Sequence, residues 1–259
     1  MHTFSVPKRD TRDPHFLVFK DRLFVYTGTW YSGNDPAESN NDLELNLHLG
    51  YAAFSENGTK WSNPVQLDGT FGHYVWRAAS FGEKAFLCGR RKIGFEVGPK
   101  GEPKEIESLM LESDDGLIWR KRATFQEIDG DETAFLFDKQ GGVQAIGRRW
   151  NTAQLLQSKP PYTKWIRRDL DRHIGGPLIS NWGDRTIVGG RHSTKRGPKT
   201  SMCWLVGSKL HEFAELPSGG DNSYPGFVAI TPMEALVSWY SSHEGTASIY
   251  MANLKIKSE

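Results

Sequence analysis

The sequence has little of what most functional classes require. Only two of its 259 residues are cysteine. Cys88 and Cys203 sit far apart in apolar runs, which reads as two buried free thiols and not as a disulfide. No run of 18 apolar residues occurs, which excludes a spanning helix. Lysine and arginine total 32 against 31 acidic residues, a net charge of +1. No bulk field therefore draws the chain to nucleic acid or to an anionic membrane, and any anion binding must come from local clustering. The opening MHTFSVPKRDTRD lacks the apolar core of a signal peptide, so a cytoplasmic chain is expected, or an exported one if its start has been trimmed. A glycine-rich phosphate loop, a nucleophile elbow and a CxxC pair are all missing. The eight histidines share no ligand spacing such as H-x-x-x-H, so neither a metal nor another cofactor is expected.

Helix signal is also scarce. Apolar stretches are short, rich in Val, Ile, Phe, Tyr and Trp, and bounded by Gly, Pro, Asn or Asp, which predicts a nearly all-β chain. At 37% hydrophobic and 24% charged residues, its length suffices for a substantial core.

One hairpin recurs five times: DPHFLVFKDRLFVYTGTW from Asp13, WRAASFGEKAFLCGRR from Trp76, ETAFLFDKQGGVQAIGRR from Glu132, GPLISNWGDRTIVGGRH from Gly176 and YPGFVAITPMEALVSWY from Tyr224. One or two further strands follow each copy. A unit of this kind repeating about every 50 residues is a β-propeller blade. The chain is therefore expected to be a single five-bladed β-propeller domain spanning 1–259, with blades near 12–68, 69–127, 128–170, 171–217 and 218–259. A sixth blade would need a further hairpin that the sequence does not show. Residues 31–41 and 94–105, and the basic segment HSTKRGPKTS after Arg191, read as surface loops.

Two outer turns, SENGTKW at Ser55 and SDDGLIW at Ser113, resemble degenerate copies of the Asp-box, a structural turn closed by tryptophan. QSKPPYTKW, ending at Trp165, resembles a more eroded third copy. Trp61, Trp119 and Trp165 are accordingly expected in the core.

In a propeller the first strand of a blade lines the channel and the second runs back antiparallel to it, so strand starts and strand ends meet at one mouth. That logic gathers Arg12, Asp13, Trp76, Arg77, Asp131, Glu132, Asn222 and Tyr224 with the strand ends Trp30, Arg90, Arg148, Arg191 and Trp239. Glu132 and Arg148 become neighbours. Gly-Arg recurs in register at 89–90, 147–148 and 190–191. Convergent guanidinium groups suit a planar anion such as a carboxylate; singly, each arginine reads equally as a strand-end residue paired with a nearby acid. Trp30, Trp76, Trp150 and Trp239 are candidates to stack on a sugar face. His73, His192 and His243 fall where they could reach the mouth, and Tyr224, preceding Pro225, is expected in extended backbone.

These residues resemble the sialidase superfamily over the whole chain, in order: Arg12 near the start, Asp42 shortly before the first Asp-box-like turn, Glu132 followed by Arg148, then Arg191 and Tyr224. The resemblance implies an acidic sugar held by Arg12, Arg148 and Arg191, with Arg77 and Arg90 in support. Tyr224 would be the nucleophile with Glu132 as its base, and Asp42, or else Asp13, the acid. A second resemblance, to five-bladed glycosidases of the arabinanase, xylosidase and invertase type, implies inverting hydrolysis by Asp13 and Glu132, with Trp76 or Arg77 where those enzymes carry a second-blade aspartate. A carbohydrate partner is common to both. A third reading, a carbohydrate-binding propeller without catalysis, stays open because fold alone does not fix function. Oligomeric state is not legible.

Overall fold

The computed structural model describes residues 3–32, 48–93 and 106–256. Among these residues nineteen strands fall into five antiparallel sheets, the blades of an all-β, five-bladed β-propeller. The first sheet comprises β1 (Arg9–Phe19), β2 (Arg22–Tyr31), β3 (Leu49–Ser55) and β4 (Val65–Gln66). The second comprises β5 (Tyr74–Phe81), β6 (Lys84–Lys92), β7 (Ile106–Ser113) and β8 (Arg120–Gln126). The third comprises β9 (Thr133–Phe137), β10 (Val143–Gly147), β11 (Gln154–Ser158) and β12 (Trp165–Asp169). The fourth comprises β13 (Gly175–Trp182), β14 (Arg185–Thr194), β15 (Gly197–Val206) and β16 (Lys209–Glu215), and the fifth β17 (Asn222–Ala229), β18 (Glu234–Ser241) and β19 (Ser248–Lys255). Strands adjacent in sequence are adjacent in each sheet, as short turns between apolar runs require. Among the described residues no helix is long and apolar enough to cross a membrane.

Two compact units emerge from the contacts. One is Met1–Thr133 with Phe137–Gly142 and Lys159–Lys164; the other is Ala134–Leu136 with Val143–Ser158 and Trp165–Glu259. In the first, Leu17, Phe24, Tyr26, Val75, Leu87, Leu109 and Trp119 form one core. Tyr26 stacks on Phe24 at 5.5 Å, meets Trp119 edge-on at 5.7 Å and donates its hydroxyl to the Gly116 carbonyl at 3.0 Å. Burial of each such aromatic contributes about 2–3 kcal/mol, and the buried phenol keeps a hydrogen-bond partner, as it must. In the second unit Ile146, Leu155, Ile174, Val188 and Cys203 share one cluster, and Trp182, Met202, Val237 and Trp239 another. Cys88 and Cys203 are buried free thiols, as expected.

The two serine-led turns are built alike. Ser55 accepts the Gly58 N–H at 2.9 Å and Asn57 those of Thr59 and Lys60 at 2.9 Å. Ser113 accepts the Gly116 N–H at 2.9 Å, and Asp115 those of Leu117 and Ile118 at 2.8 and 2.9 Å. Side-chain acceptors thus satisfy turn N–H groups that no strand can reach. Of the tryptophans expected in the core, Trp119 is buried, whereas Trp61 and Trp165 are half-buried.

One loop expectation needs amendment. The basic segment after Arg191 is the end of the β14–β15 hairpin, with His192 opposite Lys199 and Thr194 opposite Gly197; its charge pattern masked a regular pairing. Residues 31–41 and 94–105 lie outside the described residues, apart from Tyr31, which ends β2, and Ser32.

One irregularity recurs and positions the site. The pairing of β1 with β2 shifts register between Arg12 and His15, β5 with β6 between Val75 and Ala78, β13 with β14 between Gly175 and Leu178, and β17 with β18 between Ser223 and Gly226. In three of these the residue before a proline takes a left-handed backbone: Asp13 at φ 53°, Gly176 at φ 58° and Tyr224 at φ 52°. A bulge re-aims the side chain it carries. Asp13 and Tyr224 hold this conformation without being glycine, at a cost of about 1–3 kcal/mol each that the surrounding structure must offset.

Candidate active site

The first unit brings Asp13, Tyr74, Arg90, Asp131 and Glu132 into one electrostatic cluster. Asp13 sits in the β1 bulge. The hydroxyl of Tyr74, the first residue of β5, donates a hydrogen bond to its Oδ2. Burial is the main reason the Asp13 carboxyl is pushed up to about 6; the Tyr74 bond works against that shift, and the nearby Glu132 charge adds to it. Arg12 and Arg90 act in the lowering direction. Tyr74 itself is pushed above its usual value, first by burial and then by the Asp13 charge, so the phenol stays protonated and donates.

Glu132 immediately precedes β9 and is only 4% exposed. Its backbone N–H donates to Asp131 Oδ1 at 2.8 Å, and the Arg90 guanidinium donates to the same oxygen. The mostly buried Arg90–Asp131 ion pair therefore fixes the backbone from which Glu132 projects. Arg90 also lies over the Tyr74 ring, 5.4 Å from its centroid. His48 and Trp30 enclose the other sides of that ring, at 5.3 and 6.0 Å. Burial first, and the nearby Arg90 and Arg9 second, hold His48 down at about 3, so it is neutral at ordinary pH.

The second unit forms its own polar group at the β17 bulge. Asp221 accepts from Arg191 at 2.8 Å and from the Tyr240 hydroxyl at 2.8 Å, and the Tyr224 ring lies 5.4 Å from that of Tyr240. The Ser223 hydroxyl donates to the Gly175 carbonyl at 2.6 Å. Gly176 leaves room for the Tyr224 ring: a Cβ there would stand 2.1 Å from Tyr224 Cδ1. Gly176→Ala is therefore expected to destabilise the protein by about 2–3 kcal/mol through overpacking and an unfavourable φ. Urea unfolding checks this, and an unchanged midpoint would mean that the ring moves freely.

The other expected residues fall as follows. Arg12 is exposed, bonds Asp10 through Nε at 2.8 Å and lies 5.5 Å from the Trp30 ring. Arg77 covers the Trp76 ring at 5.2 Å and approaches His15 at 3.4 Å. Arg148 follows β10 in the second unit, whereas Glu132 belongs to the first, as Tyr224 and Arg191 belong to the second. Asp42 lies outside the described residues. Trp76 and Trp239 are each only 4% exposed, so neither presents a face for a sugar. Trp239 is a core residue, stacked on Tyr250 at 5.7 Å with its indole N–H on the Pro217 carbonyl at 2.9 Å. Tyr224 is not extended: the bulge outweighs the local preference of a residue before proline.

Of the three histidines, His73 is buried against Arg91 at 3.5 Å, and His243 meets Ser241 Oγ at 2.9 Å. His192 lies with Glu212 and Glu215, their ligand-type atoms all within 4.8 Å. Arg172 reaches Glu212 at 3.8 Å and Arg196 reaches Glu215 at 2.8 Å, which makes this group an ion-pair cluster.

Tyr74 and His48 are the site residues that the repeat did not single out. The repeated hairpin motif starts at Trp76, but β5 begins two residues earlier, at Tyr74. The segment HYVWRAASF is apolar from Tyr74 through Trp76, which is consistent with a strand starting at Tyr74 but carries no sign of its contact with Asp13.

No protein-family model matches the sequence, and a search of the curated proteins returns no match. Solved structures do match. A protein of unknown function from Dyadobacter fermentans superposes with a TM-score of 0.79 at 18% identity, covering 98% of this chain and 79% of the other. An endo-arabinase from Bacteroides thetaiotaomicron superposes with a TM-score of 0.61 at 13% identity over 99% of both chains. A sialidase from Trypanosoma rangeli in complex with sialic acid gives 0.61 at 12% identity, covering 93% of this chain and 46% of the other, so the chain spans about half of that enzyme. At these identities the likeness establishes the fold, a β-propeller architecture shared with glycoside hydrolases.

Proposed function

We propose that the protein is a glycoside hydrolase of the arabinanase and xylosidase kind, with Asp13 as general base and Glu132 as general acid, acting with inversion. The observation that carries this reading is Asp13: a carboxylate in strained left-handed backbone, held by a phenol and coupled to a second buried carboxylate. A group with a midpoint of about 6 is ionised at neutral pH yet basic enough to take a proton from water. Glu132 would protonate the leaving oxygen. The water proton passes to Asp13, the Glu132 proton passes to the departing alcohol, and solvent exchange restores both.

A neutral sugar suits this site better than an acidic one. In the first unit, Arg12 and Arg90 each already face a carboxylate of the chain, namely Asp10 and Asp131; in the second unit, taken by itself, Arg191 faces Asp221. A substrate carboxylate would have to displace these partners.

A panel of chromogenic arabinofuranosides, xylosides, sialosides and glucuronides, with Glu132→Gln as control, tests the reading. Release is expected from neutral pentosides and lost in the variant. Release from acidic sugars alone, abolished by Tyr224→Phe, would instead establish the sialidase-like mechanism, and release from none would favour the binding-module reading.

A further inference from the structure

We propose that Tyr74 is a positioning residue whose hydroxyl orients the Asp13 carboxylate and keeps it ionised for its reaction. The inference rests on the glycosidase reading for its kinetic consequence but not for the titration that tests it.

The geometry gives Tyr74 little freedom. It is 3% exposed, and the edge of its ring fills the space left by Gly28, where a Cβ would meet Tyr74 Cε2 at 2.8 Å. Trp30 and His48 hold the ring from two further directions, and the Arg90 guanidinium lies over it. A ring boxed in this way aims its hydroxyl at one place, which is Asp13 Oδ2. The Asp13 backbone is fixed from its own side by the β1 bulge. Donor and acceptor are thus each held independently, and the hydrogen bond forms without ordering a mobile group.

The charge balance explains why a phenol is useful here. The ionisable groups acting on Asp13 are Tyr74 from β5, Glu132 from the start of β9, Arg12 from its own strand and Arg90 from β6. Burial and Glu132 both favour the protonated form. A second carboxylate in place of Tyr74 would push the same way, because like charges disfavour ionisation. A neutral donor pushes the other way, since an O–H stabilises the charged acceptor. His48, which stays neutral beside the ring, adds no competing charge. Tyr74 therefore moderates the effect of burial on Asp13 without bringing a further charge into the site.

Carboxyl 13C NMR of the whole chain, with Asp13 assigned by its loss in Asp13→Asn, measures the effect directly. Tyr74→Phe removes only the hydroxyl. Its Asp13 midpoint is expected to rise by about one pH unit, the size of a lost hydrogen bond to a charged group, and the acid limb of kcat/KM should move upward with it. A merely structural role for Tyr74 would shift neither midpoint. An unchanged or lowered midpoint in the folded variant would overturn the inference. Should Tyr74→Phe fail to fold, the unaltered protein still decides. Its Tyr74 Cζ resonance must titrate with the Asp13 midpoint, and a Cζ signal flat through that range would be equally contrary. If the midpoint moves but no glycoside is cleaved, the hydrogen bond stands and the glycosidase reading fails; cleavage with a fixed midpoint gives the reverse.

Discussion

Asp13→Asn is expected to lower turnover about a thousandfold, in line with the loss of a general base, while making the protein more stable at pH 7. The two effects share one cause. Asp13 is raised from 3.8 to about 6 in the fold, chiefly by burial. The native state therefore holds this proton more tightly than the unfolded chain does, and stability falls as pH rises between those values. Below pH 3.8 the penalty is absent, and above about 6 it is complete. A gap of about two units corresponds to at most about 3 kcal/mol. Asparagine cannot ionise, tolerates left-handed backbone better than most residues, and still offers an oxygen to the Tyr74 hydroxyl. Urea unfolding at pH 4 and pH 7 measures the difference: a variant gain of about 1–3 kcal/mol at pH 7 that shrinks at pH 4 is expected. A loss at both values would mean that the carboxylate is held for stability and not for chemistry.

The second large effect is on the ion pair behind Glu132. Arg90→Met leaves Asp131 without its guanidinium partner in a mostly buried place, and should cost about 3 kcal/mol at pH 7. The Asp131 side chain is 23% exposed and that of Arg90 16%, so solvent screens only part of this cost. The double variant Arg90→Met with Asp131→Asn should recover part of the stability, because Asp131 no longer carries a charge that has lost its guanidinium, while Glu132 and Asp13 still lose the influence of Arg90. Activity should not recover with it. Asp131 Oδ1 carries both the Arg90 bond and the Glu132 N–H, so the pair controls where Glu132 projects. Full activity in the double variant would show that Glu132 is positioned by other contacts.

Much of the architecture could be read from local chemistry. Strand hairpins announce themselves through apolar runs and through turn residues such as Asp138, which accepts the N–H groups of Gln140 and Gly142 at 2.8 and 2.7 Å. Five repetitions then define the blades. The same register brought forward Asp13, Arg90 and Glu132, because each stands beside a recognisable hairpin boundary. What escaped were the consequences of the bulges. An inserted residue reverses which face each later side chain takes. Trp76 lies within the β5 irregularity, so strand alternation counted from the hairpin misjudged its exposure. Tyr224-Pro225 signalled extended backbone locally, while Asp13-Pro14 and Gly176-Pro177 at matching hairpin starts carried the sign of a shared bulge. Tyr74 and His48 were overlooked for a different reason. Their importance comes from enclosing one another and from reaching Asp13, contacts that no short stretch of sequence encodes.

The most direct measurement compares Asp13→Asn and Tyr224→Phe on one cleaved pentoside under identical conditions. The proposed pair predicts that Asp13→Asn loses about a thousandfold in kcat, while Tyr224→Phe stays within about tenfold of the unaltered protein, having lost a hydroxyl that takes no part in the reaction. Abolished turnover in Tyr224→Phe with Asp13→Asn still active would contradict the account and move the chemistry to the second unit.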